Sequence, residues 1–266
     1  MRSKPDEAIP LPISMPPTKH IGIVGVSYEG AALCYRTICQ EGKDLLGMYE
    51  HPQVTMHTFN LNDYKKPSDA DRWDLVGERI LASAHILAKA GADFLICPDN
   101  TVHVSIDAII DRSPLPWLHI AEEVAKVAES KAFRNLGVLG TQPLMEGPVY
   151  PSKFSPLGIR SQIPDLAIRR QVHKYIVEEL IYGTVLPATR EYFQDLIQQF
   201  AHIGCDAVVL GCTEIPDRSP GCSSAHAGLH AAAGSRRLAR SGRLTAPSPS
   251  ENKQRTGQCA LPPVVN

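Results

Sequence analysis

The sequence predicts an α/β protein built from two pseudo-symmetric halves, each with a parallel sheet covered by helices, and a site between them. Three observations support this prediction. Short runs of aliphatic and β-branched residues alternate with segments of helical periodicity, and this alternation occurs twice along the 266 residues. In each half, one apolar run also ends in a polar loop that carries an ionisable side chain.

The first half begins with the apolar run HIGIVGV. Its β-branched residues and terminal glycine are typical of a buried parallel strand. Strands are predicted at residues 20–26, 53–59 and 92–97, and helices at about 28–46 and 71–90. Gly91 closes the second helix, as glycine commonly does at a C-terminal cap. The third strand ends in PDNT, which a further helix follows, so the order β-α-β-α-β predicts right-handed crossovers.

The second half repeats this order. Residues 115–120 lead into a helix that extends to about Lys131. Strands are predicted at 135–140, 159–164 and 206–210, and helices at about 166–182 and 187–202. We therefore expect a disordered leader at 1–18, a first α/β domain at 19–115, a second at 116–216, and a disordered or non-native tail at 217–266.

Composition excludes several classes of function. The formal net charge is −1, which gives no reason to expect nucleic acid or an anionic membrane as a partner. No apolar run approaches the roughly 20 residues that cross a bilayer. The seven cysteines show no paired C-x-x-C spacing, so neither a disulfide framework nor a metal site is expected, and a reducing cytoplasm fits best.

Two loops carry the candidate chemistry. Asp99, Asn100 and Thr101 follow the third strand, and Cys212 and Thr213 follow the last. Ligands of parallel sheets bind outside the carboxyl ends of the strands, so both loops are expected at one site. Each loop also has a structural interpretation, because a cysteine is often a small core residue and Asp-Asn-Thr is a good helix cap.

With these loops, the chain resembles the aspartate/glutamate racemase family between about residues 19 and 216. The segments that carry the resemblance are IGIVGVSYEGAALCYR, CPDNTVH, LPWLHIAE, GVLGT with Met145 nearby, and DAVVLGCTEIP. The resemblance implies a cofactor-independent enzyme that binds a small amino-acid substrate. Two acid/base groups would act on opposite faces of the α-carbon. Relatives are often homodimers, so a homodimer is possible here.

The resemblance also implies roles for individual residues. Cys212 matches the second catalytic cysteine of the family, and Asn100, Thr101 and Thr213 match residues that hold the substrate α-carboxylate. Their amide and hydroxyl donors suit that anion and the charge that develops on proton removal. The remaining matched positions are expected to border the site or to serve as turn residues, and they are Ser27 and Thr141.

The chain departs from the family at the first catalytic position. Asp99 stands where the family has a cysteine, and Cys97, two residues earlier, is expected to point into the sheet. A carboxylate with a reference pKa near 3.9 is a weaker base than a thiolate near 8.5, so an Asp/Cys pair predicts unequal rates in the two directions. His103 and His119 are expected to be helix residues or to pack behind the site, rather than to act as bases.

A second departure concerns substrate selection. Gln171 stands where aspartate-selective members have a lysine. Arg169 and Arg170, beside it, either bind a second carboxylate or form a solvated helix face. Substrate identity therefore stays open at this point.

A third departure is the tail after Pro216, which has no hydrophobic period and is dominated by Ala, Ser, Gly, Pro and Arg. One interpretation is a disordered tail. The interpretation that we favour is a reading-frame error, because residues 224–238 can be encoded by codons that, read one base later, give a segment resembling the closing strand and helix of the family. A genomic sequence that encodes the tail in frame, and whose next frame does not encode that family-like segment, would exclude a reading-frame error.

Two other functions stay open beside the racemase. A single-cysteine decarboxylase of the same fold is compatible with Asp99 in place of the first cysteine, although GCTE around Cys212 argues against it. An inactive, truncated binding protein is compatible with the tail.

Overall fold

Two parallel sheets form the centre of the molecule. The structure is a computed structural model that describes residues 18–212, Ile215 and the pair Val264–Val265. The first sheet contains β1 (Ile21–Gly25), β2 (Val54–Thr58) and β3 (Phe94–Ile96), in the order β2-β1-β3 with every pairing parallel.

The second sheet repeats the first. It contains β4 (Asn135–Leu139), β5 (Arg160–Gln162) and β6 (Ala207–Leu210), in the order β5-β4-β6 and again parallel. A two-residue strand, β7 (Val264–Val265), pairs parallel with the outer side of β6. The shared strand order confirms the predicted α/β class with two related parallel sheets.

Helices cover both sheets. They are α1 (Tyr28–Leu46), α2 (Asn62–Asp69), α3 (Trp73–Lys89), α4 (His103–Ile109), α5 (Ile120–Ser130), α6 (Gln142–Glu146), α7 (Pro151–Phe154), α8 (Leu166–Glu178) and α9 (Pro187–His202). The helix predicted at 166–182 ends as an α-helix at Glu178, and a 3-10 turn follows at Leu180–Tyr182. The apolar faces of α3 and α9 pack against β1 and β6, respectively.

The sequence did not predict α2. Its residues, NDYKKPSD, have no apolar period, and Pro67 lies within the helix. A single side chain of this helix, Tyr64, is buried. Tertiary packing therefore decides its conformation, and it places Tyr64 beside the ends of the first sheet.

Glycines bring the ends of β4 and β6 together. A Cβ atom on Gly140 would lie 2.6 Å from Leu144 Cδ2 and 3.1 Å from the Gly211 carbonyl oxygen. A Cβ on Gly211 would collide with the same leucine and lie 2.9 Å from the Leu139 carbonyl oxygen. The Gly211 N–H donates to that carbonyl at 2.6 Å, so the two loops that follow these strands begin side by side.

A buried tyrosine joins the two halves. Tyr150, at the start of α7, is 1% exposed, and its hydroxyl donates to Asn100 Oδ1 at 2.5 Å. Asn100, in the loop after β3, is 4% exposed. Because both groups are shielded from water, neither has solvent as an alternative partner, and the bond fixes the orientation of the Asn100 amide.

Two histidines pack beneath the loop after β3. The His103 and His119 rings meet edge to face with centroids 4.4 Å apart, and His103 Nε2 donates to the Cys97 carbonyl oxygen at 3.1 Å. Burial, with the neighbouring His119, lowers the pKa of His103 to about 3. Burial, with Lys153, lowers the pKa of His119 to about 4, although Asp107 Oδ1 lies 3.6 Å from its Nε2. Both rings are therefore neutral at pH 7.

Replacing Tyr150 with phenylalanine removes the hydroxyl and keeps the ring. The free energy of unfolding should fall by about 1 to 3 kcal/mol, because the buried Asn100 oxygen loses its donor. Urea denaturation measures the change. Tyr182 is 63% exposed, and its replacement by phenylalanine is the matched control, with an expected change within about 0.5 kcal/mol. Equal losses in the two variants would contradict the proposed importance of the bond.

The neutral histidines predict a specific loss of stability in acid. Their native pKa values lie below the value of about 6.5 expected in the unfolded chain. Their contribution to stability is therefore complete above pH 6.5 and lost as the pH falls towards 4 and 3. When the pH falls from 7 to 5, the free energy of unfolding should therefore decrease by about 2 kcal/mol for each of the two histidines.

Substitution identifies the source of this loss. His119→Gln removes one of the two titrating groups. In this variant, the decrease in the free energy of unfolding between pH 7 and pH 5 should be smaller by about 2 kcal/mol than in the wild type. His202 is exposed, so His202→Gln should keep the wild-type profile. Urea denaturation at several pH values is the measurement, and an unchanged slope in His119→Gln would refute the assignment.

Candidate active site

The loop after β3 holds Asp99 in a fixed position. Asp99 Oδ1 accepts from the backbone N–H groups of Thr101 at 3.1 Å and Val102 at 3.4 Å. This is the helix-capping interaction that the sequence analysis gave as the structural interpretation of this loop. It does not bury the carboxylate, since Asp99 is half-buried and faces a cavity.

Two further loops supply helix caps at the same end of the sheets. The Ser27 hydroxyl accepts from the Gly30 N–H at 3.1 Å and caps α1 after β1. The Thr141 hydroxyl accepts from the Leu144 N–H at 3.3 Å and caps α6 after β4. Both side chains therefore serve as turn residues and also border the cavity.

A hydrogen bond between hydroxyls joins the two halves at this end. Thr101 Oγ1 lies 2.7 Å from Thr141 Oγ1. One of these hydroxyls donates to the other, so the second still has its own hydrogen to direct elsewhere. The loops after β3 and β4 are thereby held against each other.

Asp99 and Cys212 line the same small cavity. We call this the inner cavity; it has a volume of about 50 Å³, enough for a few water molecules. Its described lining consists of Ser27, Pro98, Asp99, Asn100, Thr101, Thr141, Ile176, Ile181, Gly211 and Cys212. All the site residues named from the sequence belong to this lining, except Thr213, which lies outside the described residues.

A larger cavity adjoins the inner one. We call it the outer cavity; it has a volume of about 310 Å³ and shares Ser27, Asp99, Thr101 and Thr141 with the inner cavity. The shared lining means that one small molecule could occupy both. Helices α2 and α8 supply the opposite walls of the outer cavity.

Sequence reasoning missed several lining residues. Ile176 and Ile181 line both cavities, and His173 lines the outer one. His173 Nδ1 accepts from the Gln142 N–H at 3.4 Å, and burial lowers its pKa. The isoleucines fit the apolar period of α8 and its following turn, but that period alone does not distinguish core from cavity.

Other candidates lie away from the cavities. Cys97 is buried in the core, and burial raises the pKa of its thiol. Arg169 pairs with Glu146 at 2.8 Å and donates to the Pro164 carbonyl oxygen at 2.6 Å, while Arg170 is exposed. In the described lining of the two cavities, neither arginine is present, nor is Gln171.

The described part of the chain offers no cluster of three or more His, Cys, Asp and Glu side chains that could hold a metal ion. Among the helices of that same part, none combines the length and apolar character needed to span a bilayer.

Two curated relatives are similar in sequence to this chain. The broad specificity amino-acid racemase RacX of Bacillus subtilis is 29% identical over 181 residues, which cover 66% of this chain and 75% of that protein. A glutamate racemase of Ectopseudomonas mendocina is 31% identical over 142 residues, which cover 53% of this chain and 52% of the relative. The second match therefore spans about half of the relative's length.

Solved structures share the fold. A candidate Asp/Glu racemase from Yersinia pestis has a TM-score of 0.73 and 27% identity, covering 83% of this chain and 99% of that one. An aspartate racemase homologue from Pyrococcus horikoshii has a TM-score of 0.69 at 21% identity, covering 83% of this chain and 99% of that one.

The family model described as Asp/Glu/Hydantoin racemase matches residues 23–234, which include both site loops. That match spans most of the chain and agrees with the motifs, the paired parallel sheets and the position of the cavities. The chain therefore belongs to the Asp/Glu/Hydantoin racemase family, a family of isomerases.

Proposed function

We propose that this protein racemises or epimerises an amino acid by moving protons at the α-carbon, with Asp99 and Cys212 as the two acid/base groups. The observation that carries the proposal is that both side chains line the inner cavity, from loops of different halves. An α-carbon held between them would present one face to each group. The relatives named as amino-acid racemase and glutamate racemase support the same reaction class.

The proton balance defines the required states. In one direction, the Asp99 carboxylate removes the α-proton, and the Cys212 thiol delivers its proton to the opposite face. Asp99 is then protonated and Cys212 is a thiolate, which is the starting state for the reverse direction. Proton exchange with water restores the first state, so the reaction needs only acid/base groups of the protein.

Polar groups around the inner cavity suit the substrate carboxylate. Asn100 Oδ1 accepts from Tyr150, so the amide can offer its Nδ2 hydrogens to another group. The Thr101 and Thr141 pair retains one hydroxyl hydrogen for donation. Such donors stabilise both the α-carboxylate and the charge that develops on it as the α-proton leaves. We assign the same role to Ser27 and, from the family pattern, to Thr213.

The two acid/base groups should be separable by mutation. Cys212→Ser should abolish α-proton exchange from one enantiomer, and Asp99→Asn should slow exchange from the other by about 100-fold or more, because positioned acid/base groups contribute that much. Incubation of L- and D-amino acids in heavy water, with NMR detection of deuterium at the α-carbon, measures each direction.

Matched variants outside the cavities control for general damage. Cys39→Ser in α1 and Asp111→Asn after α4 should exchange both enantiomers at wild-type rates. Full activity in both Cys212→Ser and Asp99→Asn would exclude the assigned roles. Release of carbon dioxide from a substituted malonate, without racemisation, would instead support the decarboxylase.

A further inference from the structure

The outer cavity has a predominantly apolar wall. It lies between α2 of the first half and the α8 region of the second. The apolar wall consists of Val26, Leu61, Tyr64, Val102, Pro143, Ile176, Val177 and Ile181. Tyr64 is 2% exposed and also packs within the core of the first half.

The charges of the outer cavity do not favour an acidic side chain. Its charged lining residues are Lys65, Asp69 and Asp99. Lys65 Nζ contacts both carboxylate oxygens of Asp69, so its charge is already matched by a carboxylate. His173 is neutral near pH 7, because burial lowers its pKa below the ordinary value. Among the described lining residues, every full positive charge thus has an anionic partner.

The position of the outer cavity identifies what it would hold. The inner cavity contains both acid/base groups and the polar donors, so the α-carbon and α-carboxylate would lie there. Ile176 and Ile181 line both cavities and form a continuous apolar surface from one to the other. The side chain of a bound amino acid would therefore extend into the outer cavity.

We propose that the substrate is a neutral amino acid with a sizeable apolar side chain, such as leucine, methionine or phenylalanine, rather than aspartate or glutamate. The inference rests on the proposed function for the location of the α-carbon. An apolar side chain gains by leaving water for this wall. A second carboxylate would lose its hydration there and meet Asp69 and Asp99, and the described lining offers no further cation to compensate it.

A substrate panel tests the inference on the full chain. Exchange of the α-proton in heavy water should give a kcat/KM for leucine, methionine or phenylalanine at least tenfold above that for aspartate and glutamate. Equal or faster exchange of the acidic amino acids would overturn the proposed substrate class while supporting the proposed racemase.

A binding measurement tests the proposed side-chain preference independently of the proposed racemase activity. Saturation-transfer NMR with the same amino acids reports occupancy without turnover. If no amino acid exchanges its α-proton but leucine binds at least tenfold more tightly than aspartate, the racemase proposal fails and the assigned side-chain preference stands. Equal or tighter binding of aspartate would overturn that preference.

A cation introduced into the apolar wall should shift the preference. Ile181→Arg is expected to strengthen the binding of aspartate relative to that of leucine, so that the ratio of their association constants rises at least tenfold. Val177→Arg is a second variant, for use if Ile181→Arg does not fold. Leu186→Arg is the matched control, since Leu186 is 49% exposed and is absent from the described lining of both cavities. An unchanged ratio in a folded wall variant would contradict the proposed position of the side chain.

Discussion

The candidate site depends on the hydrogen bond between Thr101 and Thr141. These residues follow the strands β3 and β4, which belong to different sheets, and their hydroxyl oxygens are 2.7 Å apart. Each sheet alone offers only half of the inner cavity. The bond holds the two halves in contact at the carboxyl ends of their strands, where parallel sheets bind ligands. The buried bond between Tyr150 and Asn100 supports the same contact from beneath.

The described linings of the two cavities differ in their chemistry. The inner cavity concentrates hydroxyl, amide, thiol and carboxyl groups, and the outer cavity presents mainly hydrocarbon. Behind the first loop, the neutral His103 and His119 rings fill space without adding a charge. Neither ring therefore adds a positive charge beneath the loop that carries Asp99.

Much of this arrangement was predictable from the sequence. Strands such as Ile21–Gly25 and Ala207–Leu210 are short apolar runs, and short buried strands have this signature. The position of Asp99 and Cys212 at strand ends also predicted a shared site, since strand ends of parallel sheets converge. Local pattern was sufficient wherever the local sequence and the tertiary structure favour the same conformation.

The rest depends on contacts between distant residues. The polar sequence of α2 gives no helical period, so only its packing against α3 and the core of the first half indicates a helix. Tyr150 and Asn100 are 50 positions apart, and no local signal pairs them. The apolar character of the outer cavity likewise arises only when Leu61 and Val177 face one space, which neither helix reveals alone.

The close contact of Gly140 and Gly211 with Leu144 separates rigid from variable positions in this site. A side chain at either glycine would force the strand ends apart, because the atoms it would meet belong to the backbone or to a fully buried leucine. Asp99, by contrast, is half-buried on a loop, and its side chain borders a cavity instead of closely packed backbone. Packing therefore restricts substitution less at Asp99 than at either glycine, where a methyl group of Leu144 occupies the space that a side chain would need.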